Sequence, residues 1–372
     1  MTRVCVLLLA ALWPCLLLAA DDAAKRELYL GADLSYVNEM EDCGGVLREG
    51  GKPRDAFSLL REHGGNIVRV RLFNNATWTK YSNLDDVRKT LRRARAAGMR
   101  TLLDFHYSDD WADGDKQIIP QGWEEISDLD ALVQALYDFT HRTLSALAQE
   151  DLMPDWVQVG NETNGEILGR KEWDKHRPIQ WERNARLFNA GIRAVRDAGK
   201  AAGSSPKIML HVAQPENLEP WFAAATKAGV TDYDLIGISY YAKWSSESID
   251  GLAAVMRRMR ERYPADLVLV ETAYPWTLDY ADSMQNLLGE DSLIDGYPAT
   301  PDGQKKYLID LTQTVIDSGG IGVVYWEPAW ISTGCRTRWG QGSGWENATF
   351  FDFHRRNEVL PAIDFMRHSY RR

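Results

Sequence analysis

The sequence has few cysteines, an excess of acidic residues, and none of the motifs that hold metals or phosphates. Its 372 residues include 4 cysteines and 7 histidines, and none follows the compact Cys/His spacing of a metal site. No Gly-rich phosphate loop follows an early strand-like run. The formal net charge is -10, and an acidic surface disfavours nucleic acid and anionic lipid as partners. We therefore expect no metal, no cofactor and no nucleic-acid partner.

Residues 1–20 have the pattern of a secretory signal peptide. Arg3 supplies a positive charge, an apolar run follows, and Ala19 and Ala20 precede Asp21. A transmembrane anchor is the alternative, but the run is shorter than the roughly 20 residues that a span needs. We predict a secreted or periplasmic protein whose mature domain covers residues 21–372. We expect it to make no membrane contact after cleavage and to act as a monomer.

Short β-rich runs alternate eight times with amphipathic helical stretches. The predicted strands are Tyr29–Asp33, Asn66–Leu72, Arg100–Phe105, Trp156–Gly160, Lys207–Val212, Tyr233–Ser239, Asp266–Glu271 and Gly322–Trp326. The predicted helices are Pro53–His63, Leu84–Ala97, Leu129–Gln149, Trp181–Ala202, Leu218–Ala228, Ile249–Tyr263, Gln304–Ser318 and Val359–Tyr370. Long loops follow the strands, and short loops, often with Gly, follow the helices. The pattern predicts an α/β fold, a single (β/α)8 TIM barrel with long βα loops on the catalytic face. A doubly wound sheet is the alternative.

Tryptophan is abundant, with 14 copies, and most lie at or just past a predicted strand end. These are Trp78, Trp111, Trp123, Trp173, Trp244, Trp276, Trp326, Trp330, Trp339 and Trp345. Because βα loops meet on one face of a barrel, this distribution predicts a face lined with indoles. Sugar rings stack their apolar faces on such surfaces, so carbohydrate is the expected ligand class. The alternative is that individual indoles pack beneath the long loops.

Two predicted strands end in glutamate. The fourth runs into Asn161 and Glu162, and the seventh ends at Glu271. These strands stand across the barrel from each other, so their tips face one another. Retaining glycoside hydrolysis needs two carboxyl groups about 5–5.5 Å apart, one as acid/base and one as nucleophile. The alternative is a pair of capping or ion-paired acids, but two such acids with an adjacent Asn favour catalysis.

Polar residues of other strands fall on the same face. Strand two presents Arg69 and Arg71 on one side, because side chains alternate along a strand. An inward Arg keeps a neighbouring carboxylate ionised, which suits a nucleophile. For Arg71, the alternative is a structural ion pair inside the barrel. The remaining polar strand-end residues are Asp104, His106, His211, Ser239 and Tyr241. We interpret them as hydroxyl-binding and supporting groups. A metal site of Asp104, His106 and His211 is the alternative, although the compact two-His motif is absent.

Four segments resemble glycoside hydrolase family 53, the endo-β-1,4-galactanases that cut the galactan side chains of pectin. They are Gly31–Ser35, Leu102–Asp113, Gly237–Tyr241 and Tyr325–Trp330, and the resemblance runs from about Leu30 to Phe353. It implies that Glu162 is the acid/base and Glu271 the nucleophile. It also implies a supporting shell of Arg69, Asn161, His211, Tyr241 and Trp326.

The predicted function is hydrolysis of internal β-1,4-galactosidic bonds with retention. The alternatives are the same chemistry on mannan or cellulose, and a non-catalytic carbohydrate-binding barrel. Trp326 is expected to form the floor at the cleaved bond, and Trp111 and Trp244 to bind more distant sugars. Bacterial relatives can bind calcium after strand seven through a Gly- and His-containing acidic run. Residues Leu278–Asn286 lack that pattern, so we do not predict calcium.

Cys43 and Cys335 are the two cysteines outside the leader. They follow strands one and eight, which are neighbours in a closed barrel, so both lie on adjacent loops of one face. We predict a disulfide between them, since export exposes the thiols to an oxidising compartment. Two unpaired thiols are the alternative.

Overall fold

The computed structural model describes residues 26–170 and 177–372. The predicted signal peptide over residues 1–20, with Cys5 and Cys15, lies outside the described residues, as does Trp173. In the described part of the chain, no helix combines the length and the apolar character needed to cross a bilayer.

Eight parallel strands close into a barrel, as predicted. They are β1 Tyr29–Asp33, β2 Ile67–Leu72, β3 Arg100–Phe105, β4 Trp156–Val159, β5 Lys207–Ala213, β6 Leu235–Ser239, β7 Asp266–Glu271 and β8 Gly320–Tyr325. Each strand pairs with its neighbours in chain order, and β8 pairs with β1 to complete the ring. The (β/α)8 barrel is therefore confirmed, and the doubly wound alternative is wrong.

Helices follow the strands and cover the outside of the barrel. They are α1 Val37–Asp42, α2 Ala56–Glu62, α3 Leu84–Ala96, α4 Leu129–Ala148, α5 Trp181–Ala201, α6 Pro215–Lys227, α7 Ile249–Arg262 and α8 Pro301–Asp317. Side-chain caps fix several starts: Asn83 accepts hydrogen bonds from the N–H groups of Asp85 and Asp86, and Ser248 accepts one from Gly251. The helices α2 to α8 match seven of the predicted stretches, and α1 was not predicted.

The prediction of a helix over Val359–Tyr370 is wrong. This segment contains a short strand, Glu358–Val359, and a 3-10 helix, Pro361–Arg367. Proline disfavours helical geometry in the residue before it, and Leu360 is accordingly extended, with φ -94° and ψ 153°. The apolar residues of the segment still bury themselves against the barrel, which explains why their spacing resembled a helix.

The barrel interior divides into an apolar floor and a polar mouth. Side chains from all eight strands fill the lower part, among them Tyr29 and Trp156, whose ring centroids lie 4.6 Å apart. Gly31 lets β1 approach β2 closely, because a Cβ there would lie 1.8 Å from the carbonyl oxygen of Ile67. The polar strand ends therefore stand above a solid floor and open only toward the βα loops.

The loops after β1 and β8 are joined in two ways. A four-stranded sheet combines Leu47–Glu49 and Lys52–Arg54 of the first loop with Phe351–Asp352 and Glu358–Val359 of the last. Cys43 and Cys335 form a disulfide, with their Cα atoms 5.4 Å apart and a sequence separation of 292 residues. The small sheet was not predicted, because each of its strands has only two or three residues.

We predict that the mature, unreduced protein shows no titratable thiol after denaturation. Replacing Cys43 by Ser should lower the free energy of unfolding, because the bridge removes loop-closure entropy from the unfolded chain. The loop-entropy relation gives about 5.7 kcal/mol for so long a loop as an upper value. Thiol titration and denaturant unfolding check both parts, and two free thiols per mature chain would contradict the bridge.

Candidate active site

The guanidinium of Arg69 is the centre of the polar mouth. It is 1% exposed and forms ion pairs with Asp33 at 3.0 Å, Asp104 at 2.8 Å and Glu271 at 2.7 Å. It also donates to Asn161 Oδ1 at 2.7 Å and to Gln158 Oε1 at 3.2 Å. Its partners come from β1, β3, β4 and β7 or the residues that follow them, so one side chain fixes the relative positions of several strand ends.

Glu271 lies at the last position of β7 and is 6% exposed. One carboxylate oxygen contacts Arg69, and the other accepts a hydrogen bond from the hydroxyl of Tyr241 at 3.1 Å. Burial raises the pKa of Glu271 above its ordinary value, and the ion pair with Arg69 opposes that rise. The cation and the hydroxyl both stabilise the ionised carboxylate.

Glu162 follows β4 in a strained turn. Its own φ is 44° and that of Gly160 is 87°, in the left-handed region that most residues avoid. A Cβ on Gly160 would lie 2.6 Å from the Thr163 side chain. The turn aims the Glu162 carboxyl at the barrel axis, where Oε1 accepts from the Ser239 hydroxyl at 2.6 Å and Oε2 from the Gly114 N–H at 3.3 Å. Strain of this kind is characteristic of functional sites.

Burial raises the pKa of Glu162 to about 7, against lowering by the Ser239 hydroxyl. Glu271 forms an ion pair with Arg69, whereas Glu162 does not. When the two carboxyl groups share one proton, that proton therefore resides on Glu162. An ionised Glu271 across the mouth further disfavours ionisation of Glu162. The environment thus separates the two carboxyl groups into a proton donor and an anion.

One carboxylate oxygen of Glu162, one of Glu271 and a ring nitrogen of His211 all lie within 4.8 Å of one another. These three residues could supply ligands to a metal ion. However, His211 Nδ1 lies 3.2 Å from the Glu162 N–H, and Nε2 lies 2.8 Å from the Ser239 hydroxyl. Binding a metal through this ring would break one of these contacts. The separation of the carboxyl groups instead suits double displacement at a sugar carbon, and is shorter than the roughly 6.5–9.5 Å of inverting enzymes.

Asp104 and His106 support Arg69 rather than face the open mouth. His106 Nε2 lies 3.0 Å from Asp104, and its Nδ1 accepts from the Ala112 N–H at 3.1 Å. Although burial raises the pKa of Asp104, Arg69 and His106 bring it below the ordinary value. Both ring nitrogens of His106 are therefore engaged, which disfavours the metal alternative. Asn161 also belongs to this network, since its amide donates to the Ala112 carbonyl at 2.8 Å.

The predicted indole face is only partly present. Trp111 and Trp326 are partly exposed and lie 5.8 Å apart, and Trp244 is 47% exposed beside Tyr241 at 5.2 Å. For three other tryptophans the face prediction is wrong, and the packing alternative holds: Trp276, Trp330 and Trp345 are buried. The long β7 and β8 loops fold over one another and enclose these rings.

The sequence did not predict roles for Gln158, Asp33 and Glu327. Gln158 is a polar residue inside an otherwise apolar strand, which is a signal that could have found it. Asp33 is the last residue of β1 and lies within the Gly31–Ser35 segment. Glu327 is fully buried, has φ 50° and pairs with Arg71 at 2.8 Å. Arg71 is therefore part of a structural ion pair, which was the alternative given for it. The Arg71 guanidinium also lies 4.1 Å from the ring centroid of Trp111.

Comparison with known proteins identifies the family of this site. Residues 29–366 match glycosyl hydrolase family 53. The chain belongs to glycosyl hydrolase family 53. It is 53% identical over 348 residues to an arabinogalactan endo-β-1,4-galactanase of Cellvibrio japonicus, covering 94% of this chain and 93% of that protein.

Solved structures agree with this assignment. A family 53 catalytic domain from Ignisphaera aggregans superposes with a TM-score of 0.84 at 30% identity, covering 93% of this chain and 97% of the other. One of two fungal β-1,4-galactanases superposes with a TM-score of 0.77 at 28% identity, covering 92% and 99%. This family 53 chain is therefore a glycoside hydrolase, and the alternative of a non-catalytic carbohydrate-binding barrel is wrong.

We predict that kcat/KM of this family 53 enzyme falls as the pH rises through about 7, the pKa of Glu162. A buried acid with a raised pKa keeps its proton below that value and loses it above, so a proton donor is lost at alkaline pH. Initial rates at substrate concentrations well below KM provide the measurement. A kcat/KM that stays constant from about pH 6 to 9 would exclude Glu162 as the group that titrates.

Proposed function

We propose that the protein hydrolyses internal β-1,4-galactosidic bonds of galactan, with retention of anomeric configuration. The opposed carboxyl groups of Glu162 and Glu271, with oxygens within 4.8 Å of each other, are the observation that carries the mechanism. The named activity of the relative from Cellvibrio japonicus, with 53% identity over nearly the full length of both chains, supports the galactan substrate.

Glu271 is the nucleophile in this proposal. Its carboxylate attacks the anomeric carbon and forms a covalent glycosyl-enzyme, while protonated Glu162 donates its proton to the departing glycosidic oxygen. The ion pair with Arg69 keeps Glu271 anionic before attack, and Tyr241 orients its second oxygen. Once the ester forms, the negative charge opposite Glu162 is gone. The pKa of Glu162 then falls, and its carboxylate takes a proton from the water that hydrolyses the ester.

The indoles on the mouth support a polymeric substrate. Trp326 follows β8 directly, its backbone N–H donates to the carbonyl of Thr272, which follows Glu271, and its ring packs edge-on against buried Trp345 at 4.6 Å. Trp244, which is 47% exposed, lies on the loop after β6. Exposed and partly exposed rings on different βα loops can stack on successive sugars. Such an arrangement favours cleavage within a chain.

We further propose that the protein is exported and that it acts on galactan attached to pectin. The signal-peptide pattern of residues 1–20 supports export. The disulfide between Cys43 and Cys335 also supports it, since such bridges persist in oxidising compartments. Detection of the mature chain, starting near Asp21, in the periplasm or culture medium checks export.

Replacing either carboxyl group tests the mechanism. Glu162→Gln should remove the proton donor and Glu271→Gln the nucleophile, and each should lower kcat on galactan by about 10²-fold or more. Azide should partly restore activity to Glu271→Gly and give a product of inverted configuration. The exposed Glu261 on α7 offers a matched control, since Glu261→Gln should leave kcat unchanged. Near-normal rates in Glu162→Gln or Glu271→Gln would overturn the assignment.

A polysaccharide panel tests the substrate. The wild-type enzyme should release reducing sugar from galactan at low enzyme concentration, and much less from mannan or cellulose. The anomer released first, followed by NMR, should be β, as retention requires. Faster release from mannan or cellulose would reassign the substrate, and an α product would exclude the double displacement.

Replacing the indoles separates their roles. Trp326→Ala should lower kcat, because this residue directly follows β8 and we expect its ring to form the floor at the cleaved bond. Trp244→Ala should raise KM on long galactan chains by several-fold and leave kcat near its wild-type value, because we expect this exposed ring on the loop after β6 to bind a more distant sugar. Michaelis–Menten kinetics on polymeric galactan separate the two effects. A loss of kcat alone in Trp244→Ala would contradict this division.

A further inference from the structure

The end of β6 carries two hydroxyl groups, one for each carboxyl group of the pair. Ser239 Oγ lies 2.6 Å from Glu162 Oε1, and Tyr241 Oη lies 3.1 Å from Glu271 Oε2. Both side chains point into the mouth because they are two positions apart on one stretch of extended chain. Tyr241 orients the nucleophile in the proposed mechanism. Ser239 is completely buried and has no role in that mechanism.

His211 fixes the direction in which the Ser239 hydroxyl points. The backbone N–H of Glu162 lies 3.2 Å from His211 Nδ1. An amide N–H can only donate, so Nδ1 accepts and the ring carries its proton on Nε2. Nε2 then donates to Ser239 Oγ over 2.8 Å. With that lone pair occupied, the hydroxyl hydrogen is directed at the nearest remaining acceptor, Glu162 Oε1.

The neighbouring polar atoms are compatible with this assignment. Asn161 Oδ1 lies 3.0 Å from His211 Nδ1, but that oxygen already accepts from Arg69 at 2.7 Å and from Gln158 at 3.1 Å. Burial, followed by the nearby Arg69, lowers the pKa of His211 well below its ordinary value. The ring is therefore neutral and carries one proton, which Nε2 uses toward Ser239.

We infer that Ser239 is a positioning residue of the acid/base: its hydroxyl, oriented by His211, occupies Oε1 of Glu162 and leaves the transferable proton on Oε2. This inference rests on the proposed function, because it assumes that Glu162 donates a proton to a glycosidic oxygen. Oε1 is engaged as an acceptor, so protonation of the carboxyl group takes place at the other oxygen. Among the described residues, the one hydrogen bond to Oε2 is the 3.3 Å contact with the Gly114 N–H, so this oxygen is the one available to substrate.

The sign of the effect on Glu162 follows from the direction of this hydrogen bond. A donor to a carboxylate stabilises the ionised form, so Ser239 lowers the pKa of Glu162 against the raising effect of burial. The other charged or titratable groups that face Glu162 come from the neighbouring strands and their loops. They are Arg69, Asp113, His211, Tyr241 and Glu271. Removing the Ser239 hydroxyl leaves all of these in place.

The test compares leaving groups, since only poor leaving groups need a proton from the acid. Substrates are the phenyl and the 2,4-dinitrophenyl β-glycosides of the disaccharide unit that the wild-type enzyme cleaves. Ser239→Ala should lower kcat/KM on the phenyl glycoside by about 10-fold or more, a fraction of the 10²–10⁴-fold value of general acid catalysis. On the dinitrophenyl glycoside the change should be less than about threefold, because that leaving group departs without protonation.

The mirror-image control is Tyr241→Phe, which removes the hydroxyl on Glu271. The nucleophile acts on both substrates, so this variant should lose kcat/KM on both alike. Ser239→Ala should also move the alkaline limb of the kcat/KM profile on the phenyl glycoside to higher pH, whereas Tyr241→Phe should not. Ser239→Cys, which is nearly isosteric and a weaker donor, should fall between wild type and Ser239→Ala.

Two results would overturn the inference. Equal losses on the two aryl glycosides in Ser239→Ala would show a general structural role, and so would an unmoved alkaline limb. Ser318→Ala serves as the folding control, since its buried hydroxyl has no hydrogen-bond partner in the part of the chain that the structure describes. Its removal should leave kcat/KM unchanged on both aryl glycosides. Failure of the galactan proposal would appear separately, as a wild-type enzyme that prefers another polysaccharide.

Discussion

The guanidinium of Arg69 is the interaction on which the polar half of the barrel depends. A buried cation is costly unless every donor finds a partner, and its removal would leave buried carboxylates without compensation. Arg69 meets this requirement by binding Asp33, Asp104 and Glu271 together with two amide oxygens. These partners lie on β1, β3, β4 and β7 or just after them. The geometry of the site is therefore inseparable from closure of the barrel.

The network places more negative than positive charge in a confined volume. Arg69 is one cation among three carboxylates, and Glu162 stands beside them without a cation of its own. His211 does not relieve this imbalance, because burial keeps its ring neutral. Burial, together with this excess of negative charge, keeps a proton on Glu162 near neutral pH, while Glu271, in contact with the guanidinium, can ionise. The separation of roles thus originates in the different surroundings of the two glutamates, of which only Glu271 forms an ion pair with Arg69.

Much of this arrangement was accessible from the sequence, and the exceptions have physical causes. Short β-rich runs located all eight strands, because buried parallel strands are continuously apolar. Glu162 and Glu271 stood out as charges ending such strands. The burial of Trp345 was not predictable from the sequence, since it depends on how the loops after β7 and β8 fold over each other. The role of Gln158 was missed because the pairing of one amide with Arg69 depends on register across three strands. The 3-10 helix after Leu360 has apolar residues at the spacing of an α-helix. The sequence signal against an α-helix through Leu360 is Pro361.

The bridge between Cys43 and Cys335 has a consequence for the order of assembly. Cys43 leaves the ribosome early, whereas its partner is 292 residues later. Until β8 has been synthesised, β1 has a neighbour on one edge only, and the loop that carries Cys43 has nothing to join. The covalent link can therefore form only after the segment beyond β8 has been synthesised. It then ties together the two loops that flank the pairing of β1 with β8, so the first and last strands of the ring are held as neighbours by a bond as well as by their hydrogen bonds.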